Sequence, residues 1–186
     1  PLSSSIVKCS KSISSATGTG GFLESNYDIS YISADLTINT RPIELTAGDQ
    51  SKIYGDSLNL GSSNFSLTSG SYANSESVSS VSLSAANSYD SALTQGVGTY
   101  ADEIVASSAT GSASGFIPSN YNITYTSGDL AINRTALSIT ADDKSKVYGE
   151  AEPVRTVTYN GFKNGEDDSV IYGLVISAPS GSTASA

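Results

Sequence analysis

Asn26 to Asp56 reads NYDISYISADLTINTRPIELTAGDQSKIYGD, and Asn120 to Glu150 reads NYNITYTSGDLAINRTALSITADDKSKVYGE. The two stretches align without a gap at a spacing of 94 residues and agree at 16 of 31 positions. A match this long and gapless is an internal repeat, so the fold must be built from one unit used more than once. Within it, Tyr27, Ile29 and Tyr31 alternate with Asp28 and Ser30, and Leu36 and Ile38 alternate with Asp35, Thr37 and Asn39. A period of two is the mark of a half-buried strand. With Ile32-Ser33-Ala34 between the two runs, the pattern predicts a β-hairpin with Tyr27 and Tyr31 buried. Ile43, Leu45 and Ala47 then face one side of a third strand. Pro42 cannot donate a ladder hydrogen bond, so it marks a strand start or a module junction. Residues 36–47 read as the last strand of one unit running nearly straight into the first strand of the next.

Working outward, further short strands are predicted at Phe65 and Leu67, with Val157 and Tyr159 as their counterpart. Others are predicted at Val81, Leu83 and Ala85, echoed by Leu174 and Ile176, and from Val97 to Ala106. Ser, Asn and Gly clusters separate them, and no stretch has the 3.6 period of an amphipathic helix. The fold expected is all-β: tandem small antiparallel modules in an elongated array, an Ig-like sandwich favoured and a β-grasp-like unit as the alternative. In this phase residues 1–40 are the C-terminal half of a repeat, 41–134 a complete module and 135–186 the N-terminal half of the next. The half-modules would carry unpaired strand edges that pair with each other, pair with a neighbouring molecule, or fray.

Composition excludes several function classes. The chain has 186 residues, 9 Lys and Arg against 18 Asp and Glu, one Cys, and no His, Met or Trp. Without His there is no Ser-His-Asp triad, no Cys-His pair and no Cys/His zinc site. One Cys cannot close a disulfide within the chain. A net charge of −9 argues against nucleic acid and anionic membranes, both of which need clustered Lys and Arg. No apolar run approaches the roughly 20 residues that span a bilayer. Pro1-Leu2-Ser3-Ser4-Ser5-Ile6-Val7 lacks the basic start and apolar run of a signal peptide, and the sequence reads as a piece of a longer chain. An enzyme would have to work on carboxylates alone, in a small β unit with little room for a cleft. The expectation is that the chain is not an enzyme.

Two sets of residues are candidates for binding. Tyr54-Gly55-Asp56 and Tyr148-Gly149-Glu150 recur in both copies. Tyr54, Asp56, Tyr148 and Glu150 would give a ligand an aromatic face and a carboxylate, as in sugar stacking. The structural reading is a Tyr packed on the module and a Gly at positive φ. Asp49, Asp142 and Asp143 precede this motif and are candidates for a junction calcium, which takes six to eight oxygens. Asx-turns and solvation explain the same residues, and no EF-hand or nonapeptide pattern is present. Cys9, aligned with the neighbourhood of Glu103, reads as a buried free thiol. Three N-x-S/T triplets, at Asn64, Asn122 and Asn133, are what chance gives in so Ser- and Asn-rich a chain.

The repeated blocks, together with Glu152–Val170 (EPVRTVTYNGFKNGEDDSV) and Gly96-Val97-Gly98-Thr99-Tyr100, resemble the tandem MBG/YDG-type repeats of large bacterial surface proteins, often filamentous-haemagglutinin-like adhesins. The first copy departs from the pattern over residues 57–80, where Leu58-Asn59-Leu60 replaces Glu152-Pro153-Val154 and Tyr-Asn-Gly-Phe is missing. The resemblance implies an extracellular β module at the bacterial surface that serves as a spacer or adhesive segment of a fibre. Its partners would be neighbouring repeats, like molecules, or host and matrix glycans. The alternatives are a module that itself binds glycans or host protein, and a fibre subunit completed by strand exchange between molecules.

Overall fold

Ile43, Leu45 and Ala47 alternate with Glu44 and Thr46, and this alternation becomes the central strand of a sheet. The computed structural model describes residues 7–111 and 115–177. Among these residues eleven strands run in chain order: β1 Val7–Lys11, β2 Ala34–Ile38, β3 Arg41–Ala47, β4 Gln50–Ile53, β5 Phe65–Gly70, β6 Val78–Ala85, β7 Gly98–Gly111, β8 Tyr121–Thr126, β9 Gly128–Asn133, β10 Ser138–Ala141 and β11 Val157–Asn160. The only helical pieces among the described residues are 3-10 turns at Glu24–Asn26, Pro118–Asn120 and Asp168–Val170. The fold is all-β, as the alternation requires.

Two compact units divide the chain, each assembled from separate stretches. The first takes residues 1–47, 62–83 and 106–126. Its sheet has the order β5-β3-β8. Strand β3 pairs antiparallel with β5 and parallel with β8, with Arg41 opposite Tyr121 and Leu45 opposite Tyr125. Ile43, Leu45 and Ala47 are buried, together with Val81, Ala106, Ala109, Phe116 and Tyr121. Tyr121 stacks on Phe116 at 4.9 Å between ring centroids, and Tyr72 meets both rings edge-on. The Tyr121 hydroxyl donates to Glu76 Oε2 at 2.7 Å and accepts from the Ala73 N–H at 2.9 Å, so its polar end is satisfied where its ring is buried. Strands β1 and β2 form a separate antiparallel pair in this unit.

The second unit takes residues 48–61, 84–105 and 127–186. Here β9 lies between β4, to which it is parallel, and β7, to which it is antiparallel, within a sheet of order β4-β9-β7-β6. Leu60, Ile104, Leu130 and Ile132 are buried. Two charged side chains are buried with them. Glu103 accepts from the Asn87 and Tyr89 N–H groups and from Asn87 Nδ2, at 3.0, 3.2 and 2.8 Å. Lys52 donates to the carbonyls of Asp90 and Ala92 at 3.3 and 2.7 Å. Both clamp the connection at 87–92, and the hydrogen bonds offset the cost of removing the charges from water. Strands β10 and β11 pair antiparallel with each other.

Several sequence expectations are corrected. Tyr27 and Tyr31 are not buried: they are 62% and 38% exposed, whereas Tyr121 is 6% exposed. Residues 27–33 form no strand, although Tyr27 leaves its 3-10 turn at φ −132 and ψ 140, close to the φ −120 and ψ 145 of Tyr121. The same local turn is made twice, but strand β8 exists because β3 lies beside it. No described strand lies beside residues 27–33. The expected hairpin forms in neither copy: β8 and β9 belong to different sheets, and β2 pairs with β1. Ladder alternation fixes which face is apolar, not which strand lies alongside. The sheets also mix parallel and antiparallel pairs instead of being antiparallel throughout. No strand forms at Leu174 and Ile176, and residues 39–40 interrupt β2 and β3. Cys9 lies opposite Leu36 as Tyr100 lies opposite Leu130, so in register its counterpart is Tyr100, not Glu103. The side chain of Cys9 lies outside the described residues.

The first copy lacks Tyr-Asn-Gly-Phe, but a different sequence takes its place in the ladder. Tyr159 lies opposite Ile139 and Leu67 opposite Leu45, and the β3–β5 ladder slips between Glu44 and Leu45 to leave Thr68 as an extra residue. Gly70 and Gly161 both have positive φ, and each brings its missing Cβ against the first strand of its repeat, at Pro42–Ile43 and Ala136–Leu137. Leu67-Thr68-Ser69-Gly70-Ser71-Tyr72 therefore stands for Tyr159-Asn160-Gly161-Phe162, with Thr68 accommodated as a β-bulge and Ser71 as a second insertion.

Candidate functional site

Strand β4 ends at Ile53, and the chain turns at once through Tyr54-Gly55-Asp56. The turn closes with Asp56 N–H donating to the Ile53 carbonyl at 3.1 Å, and Tyr54 N–H donates to the Asn133 carbonyl at 2.8 Å. Gly55 sits at φ +85, a conformation other residues resist. The second copy makes the same turn, with Glu150 N–H donating to the Val147 carbonyl at 3.1 Å and Gly149 at φ +86.

The first turn holds a loop that lies 107 to 112 residues further along the chain. The Tyr54 hydroxyl donates to Glu166 Oε1 at 2.7 Å, Lys163 Nζ donates to Asp56 Oδ1 at 2.8 Å, and Asn164 Nδ2 donates to the Leu93 carbonyl at 3.0 Å. Gly55 lies so close that a Cβ there would meet the Lys163 Cβ and Cγ at 2.7 Å. The hydrogen bond to Glu166 holds the Tyr54 hydroxyl above its ordinary pKa. Asn164 at φ +56 and Gly165 at φ +77 shape the loop that presents Lys163 and Glu166. All of these residues belong to the second compact unit.

Tyr54 and Asp56 are thus brought together, and both are engaged by protein groups. Tyr148 is largely exposed, and no described atom lies within 4 Å of where a Cβ on Gly149 would sit. The acidic candidates do other work. Asp49 Oδ1 accepts from Asp129 N–H at 2.8 Å, and Asp129 Oδ1 from Asp102 N–H at 3.1 Å. Asp142 accepts from the hydroxyls of Thr156 and Thr158, which hold its carboxyl below the usual range. Asp143 is exposed. Among the described residues no group of three or more His, Cys, Asp and Glu is arranged to hold a metal. A groove of about 310 Å³ beside Asp142 is lined by Lys144, Lys146, Glu152 and Arg155, and in it Glu152 pairs with Lys146 at 2.6 Å and Arg155 at 3.4 Å. Sequence reading missed Lys163 and Asn164, although the Asn-Gly pair at 164–165 is a turn signal that marks the loop.

A family model for the MBG domain of YGX type matches residues 43–131 and 137–186. The chain belongs to this MBG family. Its two matched stretches are successive MBG repeats, β modules of surface proteins. The Tyr-Gly-Asp and Tyr-Gly-Glu turns are the YGX of each copy, and the turn of the first MBG repeat is the one that grips the 161–166 loop of the second. The MBG domain is a structural or adhesin-type module and not a known enzyme family. No curated protein and no solved structure matches the chain. No described helix is long and apolar enough to cross a membrane.

Proposed function

We propose that this chain is a spacer segment of a secreted bacterial surface adhesin or fibre, in which consecutive MBG repeats are coupled by the YGX turn. The observation that carries this reading is the joint itself: a hydroxyl–carboxylate bond, an ion pair and a glycine close contact link one repeat to the next. A linker that only tethers needs none of these. A spacer that projects a distal part gains from them, because each removes freedom at the junction. Asp56 and Lys163 are both partly exposed, so the pair acts through geometry more than through raw strength.

The test is backbone ¹⁵N relaxation on the purified chain. Residues 50–54 and 157–166 are expected to share one rotational correlation time. Replacing Asp56→Lys in a Tyr54→Phe background should free 157–166 to tumble faster. Independent motion in the unmodified chain would overturn the coupling. A second reading, glycan binding, is favoured by the exposure of Tyr27, Tyr148 and Tyr172. The exposure of Tyr27 also follows from its missing strand partner. Saturable binding on a glycan array that is lost in Tyr148→Ala would move the assignment to that reading.

A further inference from the structure

The loop that meets the first YGX turn has a twin in the first repeat. Lys163–Glu166 turns back with Glu166 N–H donating to the Lys163 carbonyl at 2.9 Å, and Ala73–Glu76 turns back with Glu76 N–H donating to the Ala73 carbonyl at 2.8 Å. The central residues of both turns have positive φ: Asn164 +56 and Gly165 +77 in one, Asn74 +50 and Ser75 +61 in the other. Asn tolerates this conformation, and Gly adopts it freely. The two turns share a backbone shape and an Asn, and they differ in the residue that follows the Asn. That difference is chemical. The nitrogen of Gly165 has no side chain beside it, no described atom lies within 4 Å of where a Cβ on Gly165 would sit, and Asn164 and Gly165 are both exposed.

We propose that Asn164-Gly165 is a site of spontaneous covalent modification, a deamidation that alters the joint. The Gly165 nitrogen attacks Asn164 Cγ. The new C–N bond closes a cyclic imide, the Cγ–Nδ2 bond breaks, and the amide proton leaves with the side-chain nitrogen as ammonia. Water then opens the imide to aspartate or isoaspartate. Each product removes contacts that the joint uses. Asn164 Nδ2 is the donor to the Leu93 carbonyl at 3.0 Å, and neither acid has it. The new carboxylate sets acceptor against acceptor there and adds a negative charge two residues from Glu166. In isoaspartate the main chain runs through the former side-chain carbon, which lengthens the turn. Lys163 and Glu166 then lose the spacing with which they take Asp56 and the Tyr54 hydroxyl. The inference rests on these contacts and not on the spacer reading.

The test is incubation of the folded chain in mildly alkaline buffer, followed by peptide mapping by mass spectrometry after digestion at acidic pH. Acid should form at position 164 several-fold faster than at position 74. Ser75→Gly, which suits a φ of +61, should raise the rate at Asn74 toward that of Asn164. The converted chain, separated by anion exchange, should show residues 157–166 tumbling faster than residues 50–54. An Asn164 that outlasts Asn74, or a rate at Asn74 unchanged by Ser75→Gly, would overturn the site. A converted chain in which the two stretches still share one correlation time would overturn its effect on the joint. The mass readout stands whether or not the repeats serve as a spacer.

Discussion

Gly55 and Gly149 hold the same place in the two copies of the turn, at φ +85 and +86. They differ in surroundings, since only Gly55 has Lys163 against it. The backbone penalty for Ala at such a φ is about 1–2 kcal/mol and should be common to both. Gly55→Ala must in addition displace the Lys163 stem near its Cβ, so it should cost roughly 1 kcal/mol more than Gly149→Ala. Urea unfolding of the two variants measures the difference, and equal midpoints would show that the joint adds nothing. At this scale the sequence was legible where backbone chemistry decides: the positive φ of both glycines follows from the motif. It was not legible where a partner decides. Lys52 and Lys146 occupy equivalent positions, yet Lys52 is buried against the carbonyls of 90 and 92 while Lys146 lines an open groove.

At the scale of the element, the contrast lies between β8 and the stretch that begins at Tyr27. Both follow a 3-10 turn, and both carry alternating apolar residues. One is a strand because β3 supplies a ladder and a core; the other has no such neighbour among the described residues. Tyr121→Ala should therefore destabilise the chain by about 3–5 kcal/mol, as expected for removing a buried aromatic ring. Tyr27→Ala, which removes only a stacking contact with Phe22, should stay within about 1 kcal/mol. Thermal melts of the two variants give the comparison, and similar losses would refute the distinction. The hairpin misreading has the same origin. Alternation names the buried face, but pairing depends on strands far along the chain, and two insertions at Thr68 and Ser71 hid the match that would have exposed them.

At the scale of the whole molecule, the two MBG repeats should respond differently to acid. The carboxyls of Asp142, Glu152 and Asp167 are all held below their usual range, by the Thr156 and Thr158 hydroxyls, by Lys146, and by Ser169 respectively. A carboxyl depressed in the folded state stabilises it above the unfolded pKa, and that contribution is lost as the pH falls through the folded value. All three lie in the second repeat, so residues 138–170 should loosen below about pH 4 before residues 41–134 do. Amide resonances followed from neutral to acid pH report this directly, and simultaneous loss across both repeats would count against it.

The sequence by itself determined that the chain is all-β, that one unit recurs every 94 residues, and that its YGX turns need glycine. These are local properties: period, repetition and φ are written into neighbouring residues. The tertiary structure alone decided which strands lie side by side, which tyrosines are buried, and what the first YGX turn holds. Each of these depends on residues tens to more than a hundred positions apart, and a strand or a buried ring exists only when its partner is in place.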